Sequence, residues 1–263
     1  MPSVLEGFGR LLKIVLGLVG LMVVAVTVVF VPFYYYFARN LPKLDRVTDY
    51  RPPIVSELFA DDGTKIGEFW QECRYLIPYE KIPEQVIQAF VASEDARFWE
   101  HRGVDFRGVL RALVEDLRSG KVVQGGSTIT QQVTRSLLLT RERHLARKIR
   151  EAILATQIER NLSKQQILYL YLNEIYLGNR ANGIEAAARN YFHKSAGELT
   201  LAQISMIAGL PSAPSQYSPV VNPLLAKERQ RHVLDRMLSM GTIKKKEAEE
   251  AAAEPLKVYR AGT

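Results

Sequence analysis

Two adjacent carboxylates, Glu94 and Asp95, are the first side chains along the chain that could act on a substrate. Aromatic residues follow them at Phe98 and Trp99. Partial burial beside aromatic groups, together with a like charge next door, raises the pKa of a carboxyl group, which suits a general base. The alternative for a lone Glu-Asp pair is a solvated acidic turn.

A polar segment at 125–132 has the sequence Gly-Gly-Ser-Thr-Ile-Thr-Gln-Gln. Paired glycines allow another group to approach the backbone closely, and the hydroxyl and amide side chains supply donors and acceptors. Thr128, Gln131 and Gln132 are spaced at i, i+3 and i+4, which places them on one face of a helix. The segment therefore favours a sugar- or phosphate-binding site, and an ordinary polar helix start is the alternative.

Residues 106–150 are strongly basic, with ten Lys or Arg against three Asp or Glu, and this balance of +7 equals the formal net charge of the whole chain. Arg147, Lys148 and Glu151 share a helical face, for which a surface ion pair is the alternative. Two further arginines add positive charge, Arg135 and Arg143. Such a concentration of charge favours an anionic substrate. Nucleic acid is disfavoured as a partner because the basic segment lacks interleaved aromatic residues and no nucleic-acid motif is present.

The histidines and the cysteine limit which other kinds of site the chain can form. No two of the four histidines have ligand-like spacing, so a metal site built by the protein is not predicted. Cys73 is the only cysteine, which excludes an intrachain disulfide.

The segment from Ile14 to Ala38 contains no charged residue and no histidine. As a helix rising ~1.5 Å per residue it would reach about 37 Å, enough to span a bilayer with some tilt. A cleavable signal peptide is the alternative, but its apolar region usually holds only ~7–15 residues. The aromatic run at 33–37 suits a membrane interface. The sequence predicts an uncleaved transmembrane anchor, and the charges flanking it do not decide its orientation.

The elements that must position these residues are mostly helical. Two β-prone runs, 54–60 and 65–70, are separated by the turn sequence Asp-Asp-Gly-Thr, which predicts a hairpin. A third strand is predicted at 74–78. Helices are predicted from Pro83 onward, two of them opened by capping boxes at Ser163 and Thr200. After the helix that begins at Pro83, the predicted helices cover 106–117, 127–139, 144–161, 164–177, 201–210, 222–241 and 243–254.

Five blocks in order resemble the peptidoglycan glycosyltransferase family, glycosyltransferase family 51. This family is the polymerase module of class A penicillin-binding proteins and of monofunctional transglycosylases. The blocks are E-D-x-x-F-x-x-H-x-G from Glu94, G-x-S-T-I-T-Q-Q from Gly125, R-K-x-x-E from Arg147, K-x-x-I-L-x-x-Y-L-N from Lys164 and R-A-x-G-I from Arg180. The resemblance covers about residues 54–254. Asn182 and His193 depart from the family pattern in and after the fifth block.

The resemblance implies a lysozyme-like, mainly α glycosyltransferase domain with a small β element, preceded by one transmembrane helix. The expected domains are a cytoplasmic tail at 1–13, the anchor at 14–38, a stalk at 39–53, the glycosyltransferase domain at 54–254, and a C-terminal tail or the start of an inter-domain linker at 255–263. A single-pass protein of the bacterial cytoplasmic membrane is implied, with the catalytic domain on the outer, periplasmic face.

The implied reaction is polymerisation of lipid II into β-1,4-linked glycan with inversion and release of undecaprenyl pyrophosphate. By resemblance Glu94 is the general base on the acceptor hydroxyl, and Glu151 has a supporting catalytic role. The candidate substrate-binding residues are Asp95, Ser127, Thr128, Gln131, Gln132, Arg135, Arg143, Arg147, Lys148, Lys164 and Asn173. No tightly bound cofactor is expected, although Mg²⁺ or Mn²⁺ would accompany the pyrophosphate. The implied partners are lipid II, the lipid-linked glycan chain, the bilayer, and a fused or separate transpeptidase with other cell-wall synthesis proteins.

Two other functions remain open. One is a lysozyme-like enzyme that cleaves finished glycan, such as a lytic transglycosylase, which uses a carboxylic acid to protonate a sugar leaving group. The other is a non-catalytic scaffold of the same fold. The chain has no S-x-x-K and no K-T-G, so it lacks the signatures of a penicillin-sensitive transpeptidase. Both a natural monofunctional enzyme and a truncated class A protein fit the sequence.

Overall fold

The computed structural model describes residues 2–39, 41, 52, 54–69, 72–119, 126–138 and 145–261. Arg143, Gly125 and most of the predicted stalk lie outside the described residues. The helices are α1 (Pro2–Ala38), α2 (Glu84–Glu94), α3 (Phe106–Ser119), α4 (Ile129–Leu138), α5 (Leu145–Asn161), α6 (Lys164–Glu174), α7 (Ile184–Phe192), α8 (Leu201–Ala208), α9 (Pro223–Ser239) and α10 (Lys245–Ala253). The strands are β1 (Ser56–Phe59), β2 (Lys65–Phe69), β3 (Cys73–Arg74) and β4 (Ala181–Asn182). The prediction of a mainly α fold with a small β element is confirmed.

The predicted hairpin forms between β1 and β2, which pair antiparallel. Its turn closes where the Ala60 N–H donates to the Thr64 carbonyl at 2.8 Å, and Gly63 takes the positive φ of 81° that the turn requires. The third strand is shorter than predicted. It covers Cys73–Arg74 and pairs in parallel with β4, more than one hundred residues later in the chain.

Helix starts follow the predicted capping chemistry. Ser163 and Thr200 each form a complete capping box, at the starts of α6 and α8. Helix α7 was not among the predicted helices. It ends at His193, which has a left-handed φ of 54° where glycine would carry no steric cost. The imidazole ring of His193 stacks on Tyr259 with centroids 3.8 Å apart. This contact stabilises histidine at the position where it departs from the family pattern.

The core lies where α2, α6, α7, α8 and α9 meet. Phe90 of α2 packs edge-on against Tyr171 of α6 with ring centroids 6.0 Å apart, and both are almost fully buried. Burying a side chain of this size contributes about 1.5–3 kcal/mol. Because α2 is fixed on this core, the carboxyl end of α2, where Glu94 lies, has a defined position.

Among the described residues, one helix is long and apolar enough to cross a membrane, by length and composition. The candidate span runs from Lys13 to Ala38 with a mean hydropathy of 3.0, and none of its most apolar stretch is buried in the protein. Exposed valines and leucines along this length are costly in water. The predicted anchor therefore corresponds to the greater part of α1.

Candidate active site

A cleft of about 440 Å³ opens between the end of α2, helix α3, the start of α4 and helix α9. It is lined by Glu94 from α2 and by Ser127, Gln132 and Arg135 in or just before α4. Most of its lining is polar and much of it is cationic. The cleft thus combines a carboxylate from the first sequence block with hydroxyl and amide groups from the second, and with the guanidinium group of Arg135, which follows the second block.

Glu94 lies at the C-terminal end of α2 and accepts a hydrogen bond of 2.9 Å from the side-chain amide of Gln132. Burial raises the pKa of Glu94 above its ordinary value of 4.5, and the charge of Asp95 adds to this rise. The Gln132 hydrogen bond and the charges of Arg229 and Arg135 lower the pKa again. Glu94 is therefore a poorly solvated carboxyl group whose ionised form is stabilised by one amide donor and two cations.

Asp95 also lines the cleft, but its carboxylate contacts groups inside the protein. Its carboxylate lies 2.9 Å from the Nε2 atom of His101 and accepts a 3.0 Å hydrogen bond from the N–H of Ile129, the first residue of α4. A carboxylate at this position accepts a hydrogen bond from a helix N–H group that has no partner within the helix. Its negative charge also interacts favourably with the positive end of the helix dipole. Asp95 therefore ties the end of α2 to the start of α4, which keeps Glu94 and Gln132 together. Its predicted role in substrate binding stays a prediction.

Thr128 and Gln131 form a reciprocal pair at the start of α4. The N–H of Gln131 donates to Thr128 Oγ1 at 3.1 Å, and the N–H of Thr128 donates to Gln131 Oε1 at 3.0 Å. The Thr128 hydroxyl also donates to the carbonyl of Gly103 at 2.7 Å. Thr128 borders the cleft, whereas Gln131 does not line it. Both side chains are thus engaged in shaping the helix start.

The cations of α5 are organised by Glu151, whose side chain is 1% exposed. Arg147 Nε lies 3.1 Å from one carboxylate oxygen of Glu151, and Lys148 Nζ lies 3.3 Å from the other. Lys148 also donates to Ser127 Oγ at 2.5 Å, and Ser127 lines the cleft. The R-K-x-x-E block therefore meets the polar segment at the edge of the cleft.

Lys164 and Asn173 are not brought to the cleft. Lys164 donates to the carbonyl of His101 and to Glu159, each at 2.7 Å. Asn173 is 1% exposed and forms a pair of hydrogen bonds with the backbone of Ile77. These contacts join distant segments of the chain, and the predicted role of both residues in substrate binding remains a prediction.

The contribution of α9 to the cleft was not predicted from the sequence. Three of its residues line the cleft, namely Arg229, His232 and Arg236. None of them belongs to the five sequence blocks. Their spacing of i, i+3 and i+7 places them on one helical face, which was a usable signal. A charged face of this kind is usually solvated, so the sequence alone gave no reason to separate it from an ordinary helix surface.

Glu159, whose side chain is 4% exposed, was also not predicted as a site residue. Its carboxylate accepts hydrogen bonds from the hydroxyl of Thr130 at 2.6 Å and from Lys164, and it lies 3.8 Å from His101 Nδ1. Since the other ring nitrogen of His101 contacts Asp95, the network links α5 to the residue next to Glu94. Within the part of the chain that the structure describes, no group of three or more His, Cys, Asp and Glu side chains could hold a metal ion.

A model of the family described as "Transglycosylase" matches residues 62–238. The chain is 45% identical over 251 residues to penicillin-binding protein 1A of Aquifex aeolicus, covering 94% of this chain and 34% of that protein. It is 43% identical over 247 residues to penicillin-binding protein 1A of Pseudomonas aeruginosa, covering 94% of this chain and 30% of that protein. A crystal structure of penicillin-binding protein 1A from Haemophilus influenzae is similar at a TM-score of 0.47 and 28% identity, covering 81% of this chain and 22% of that one. The chain spans about a third of the length of the curated relatives that it matches.

Proposed function

Because the chain belongs to the transglycosylase family, we propose that it is a peptidoglycan glycosyltransferase that joins lipid II units into a β-1,4-linked glycan strand. The observation that carries the proposal is the pairing of Glu94, a half-buried carboxyl group of raised pKa, with a cleft lined by arginines. A base and a set of cations in one cleft suit the displacement of an anionic leaving group by a hydroxyl nucleophile.

Glu94 is the proposed general base. Its ionised carboxylate accepts the proton of the acceptor's 4-hydroxyl as the hydroxyl oxygen attacks the anomeric carbon of the donor sugar. The bond from that carbon to the diphosphate oxygen breaks, the configuration inverts, and undecaprenyl diphosphate leaves with the bonding electron pair. The amide of Gln132, bonded to Glu94 at 2.9 Å, would fix the direction in which the carboxylate faces.

The cations next to Ser127 are the proposed stabilisers of the departing diphosphate. Arg135 lines the cleft, and Lys148 donates a hydrogen bond to Ser127, which also lines it. Glu151 forms ion pairs with both Lys148 and Arg147, which keeps these two cations next to each other. A diphosphate is a stable anion, so it needs charge stabilisation more than it needs a proton. Arg143 belongs to this set by resemblance. A divalent cation would enter bound to the diphosphate, as part of the substrate, and would neutralise charge there.

The cleavage of finished glycan is the second candidate, and the raised pKa of Glu94 is the observation that favours it. A carboxyl group that keeps its proton can protonate a sugar leaving group, as glycosidases require. Such enzymes gain little from clustered cations, whereas this cleft is lined by cationic side chains from both α4 and α9. Polymerisation is therefore the better match.

Glu94→Gln tests the assignment. The variant keeps the size of the side chain but removes the base, so we expect the rate of glycan polymerisation from purified lipid II to fall by at least ~10²-fold. Glu84→Gln, at the exposed start of the same helix, is the matched control and should leave the rate unchanged. Each protein is also incubated with peptidoglycan sacculi. Soluble fragments from sacculi, without polymer from lipid II, would establish the second candidate instead.

The proposed location follows from α1 and from the substrate. The apolar helix and the similarity to penicillin-binding proteins 1A indicate a membrane-anchored protein. We propose that it crosses the cytoplasmic membrane once and that the catalytic domain lies on the outer face, where lipid-linked glycan is assembled into the wall. Its proposed partners are lipid II, the lipid-linked glycan chain and a transpeptidase, fused or separate.

A further inference from the structure

Tyr171 of α6 is a buried tyrosine whose hydroxyl group forms no hydrogen bond with any described residue. Tyr191 of α7 is buried to the same degree, but its hydroxyl donates to the carbonyl of Leu177 at 2.9 Å. A buried hydroxyl group without a partner costs free energy, and a phenylalanine would fill almost the same space without that cost. Packing alone therefore does not explain a tyrosine at position 171.

The packing of Tyr171 places it close to the end of α2 that carries Glu94. Its ring contacts Phe90 of α2 edge-on, with ring centroids 6.0 Å apart and an interplanar angle of 78°. Glu94 follows Phe90 by four residues, so both side chains lie on the same face of α2. Helix α6 also packs against α4, which carries Gln132. Helix α6 therefore contacts both helices that form the Glu94–Gln132 hydrogen bond.

The charges around Tyr171 indicate the same location. The pKa of its hydroxyl group is raised well above the ordinary value of 10.0, first by burial and then by the charge of Glu94. The charge of Arg135 lowers this pKa, and that of Asp95 raises it. The hydroxyl group therefore lies within electrostatic reach of Glu94. It also keeps its proton throughout the pH range in which a glutamate titrates, so it can act as a hydrogen-bond donor.

We propose that Tyr171 is a positioning residue, whose hydroxyl group donates a hydrogen bond to Oε1 of Glu94 when that carboxyl group is ionised. The inference rests on the proposed function, in which Glu94 must be ionised to accept a proton. The Gln132 amide donates to Oε2 of Glu94, so Oε1 is available to a second donor from the described part of the chain. Glu94 is half-buried at a helix end, so a rotation of its side chain brings Oε1 to the hydroxyl group of the tightly packed Tyr171.

This hydrogen bond would act on the base in two ways. A donor to the ionised form lowers the pKa of a carboxyl group, which offsets part of the rise that burial causes in Glu94. Two donors, one on each oxygen, also fix the plane of the carboxylate. An ionised carboxylate has about four lone-pair sites, so it can still accept the proton of the acceptor hydroxyl.

The other charged groups near Glu94 are the same in the wild type and in Y171F. Asp95, Arg135 and Arg229 influence the pKa of Glu94 directly. Their contributions cancel when the two proteins are compared at one pH, and so do those of the remaining titratable groups in the cleft lining. These remaining groups are Arg97, Asp105, Arg111, His232 and Arg236.

Thermal unfolding at two pH values tests the hydrogen bond without any substrate. A carboxyl group whose pKa is higher in the folded than in the unfolded protein lowers stability at neutral pH, and this loss disappears when both states are protonated. Y171F should raise the pKa of Glu94 further. We therefore expect Y171F, as the full chain in detergent micelles, to melt about 4 °C below the wild type at neutral pH. At about pH 4 it should melt no lower than the wild type.

Two further variants isolate the effect. Y191F removes a hydroxyl group that is bonded to a backbone carbonyl and does not line the cleft, so it should lower the melting temperature equally at both pH values. In an E94Q background, Y171F should have the same effect at both pH values, because the carboxylate is absent. The proposal is overturned if Y171F changes the melting temperature of the wild type by the same amount at both pH values, zero included. It is also overturned if a pH-dependent loss persists in E94Q.

The pH dependence of polymerisation links this hydrogen bond to catalysis. We expect the acidic limb of kcat/KM for lipid II to move to higher pH by about one pH unit in Y171F, because the base is then protonated at higher pH. Y191F should leave the limb in place. A limb for Y171F that matches the limb for Y191F would contradict the positioning role. If the wild type forms no polymer at all, the proposed function fails, and the melting temperatures still decide whether Tyr171 donates to Glu94.

Discussion

The proton on the Glu94 carboxyl group is subject to opposing influences. Burial raises its pKa, whereas the Gln132 amide and the charges of Arg229 and Arg135 lower it. A general base acts only when it is deprotonated, so activity is lost as the pH falls through this pKa. Because the pKa lies above the ordinary value of 4.5, that loss occurs at a higher pH than it would for a solvent-exposed glutamate.

Gln132→Ala should move the acidic limb of the pH–rate profile to higher pH. The variant removes a hydrogen bond to the ionised carboxylate, which is worth about 1.5–3 kcal/mol, and 1.36 kcal/mol corresponds to about one pKa unit. The shift is measured in kcat/KM for lipid II polymerisation between acidic and neutral pH. Gln88→Ala removes an amide that is bonded to exposed Glu84 and serves as the control. An acidic limb that coincides with that of the control would show that Gln132 does not stabilise the Glu94 carboxylate.

The residue types of this site were predictable, but their orientations were not. Glu94 and Gln132 were both chosen as site residues, and the structure places them in hydrogen-bond contact. Asp95, chosen as a substrate-binding residue, also lines the cleft, but its carboxylate contacts His101 and the N–H of Ile129. The carboxylates of adjacent residues at a helix end point in different directions, and only the packing of α4 against that end decides which partners each carboxylate contacts.

At the scale of elements, the loop after Glu94 is joined to α5 through Gly103. This glycine has a φ of 92°, and a Cβ atom on it would lie 2.6 Å from the backbone of Ala155. Its carbonyl also accepts the hydroxyl of Thr128 at the start of α4. One backbone position therefore sets the distance between the helix that holds Glu151 and the helix that holds Gln132.

Gly103→Ala should destabilise the protein more than a positive φ alone can explain. Gly63 has a similar φ of 81° but open space around its Cβ position, so Gly63→Ala isolates the conformational cost, about 1–2 kcal/mol. Gly103→Ala adds a clash with backbone that cannot rotate away, and we expect a total loss of about 3 kcal/mol or more. Thermal unfolding in detergent compares the two variants with the wild type. Equal losses in melting temperature would mean that α5 moves aside without cost.

Local signals predicted elements well, whereas long-range pairings were missed. The β1–β2 turn and the capping boxes at Ser163 and Thr200 depend on residues within a few positions of one another, so their chemistry is visible in the sequence. The parallel pair of β3 and β4 joins two dipeptides from distant parts of the chain. The contribution of α9 to the cleft likewise depends on tertiary packing, because its charged face has the same periodicity as a solvated one.

At the scale of the whole molecule, an apolar helix and a cationic cleft belong to one chain of net charge +7. The helix is long and apolar enough to anchor the protein in a bilayer, and the cleft suits the proposed substrate, whose diphosphate is itself attached to a lipid. Confinement of enzyme and substrate to the same surface reduces the entropy lost when they meet. This combination explains why a cleft rich in arginine need not imply nucleic acid.

The orientation of the chain in the membrane can be tested by labelling introduced cysteines, because the single native cysteine is buried. Cys73 is the only cysteine and is 4% exposed, so the wild type should react little with a maleimide. Glu249→Cys places a thiol on α10, where the native side chain is 67% exposed. We expect a membrane-impermeant maleimide to label this variant in intact spheroplasts, because the folded domain is proposed to lie outside the cytoplasmic membrane. Ser3→Cys, before the membrane-spanning segment, should react only after permeabilisation, and the reverse pattern of labelling would place the cleft on the wrong side of the membrane for wall synthesis.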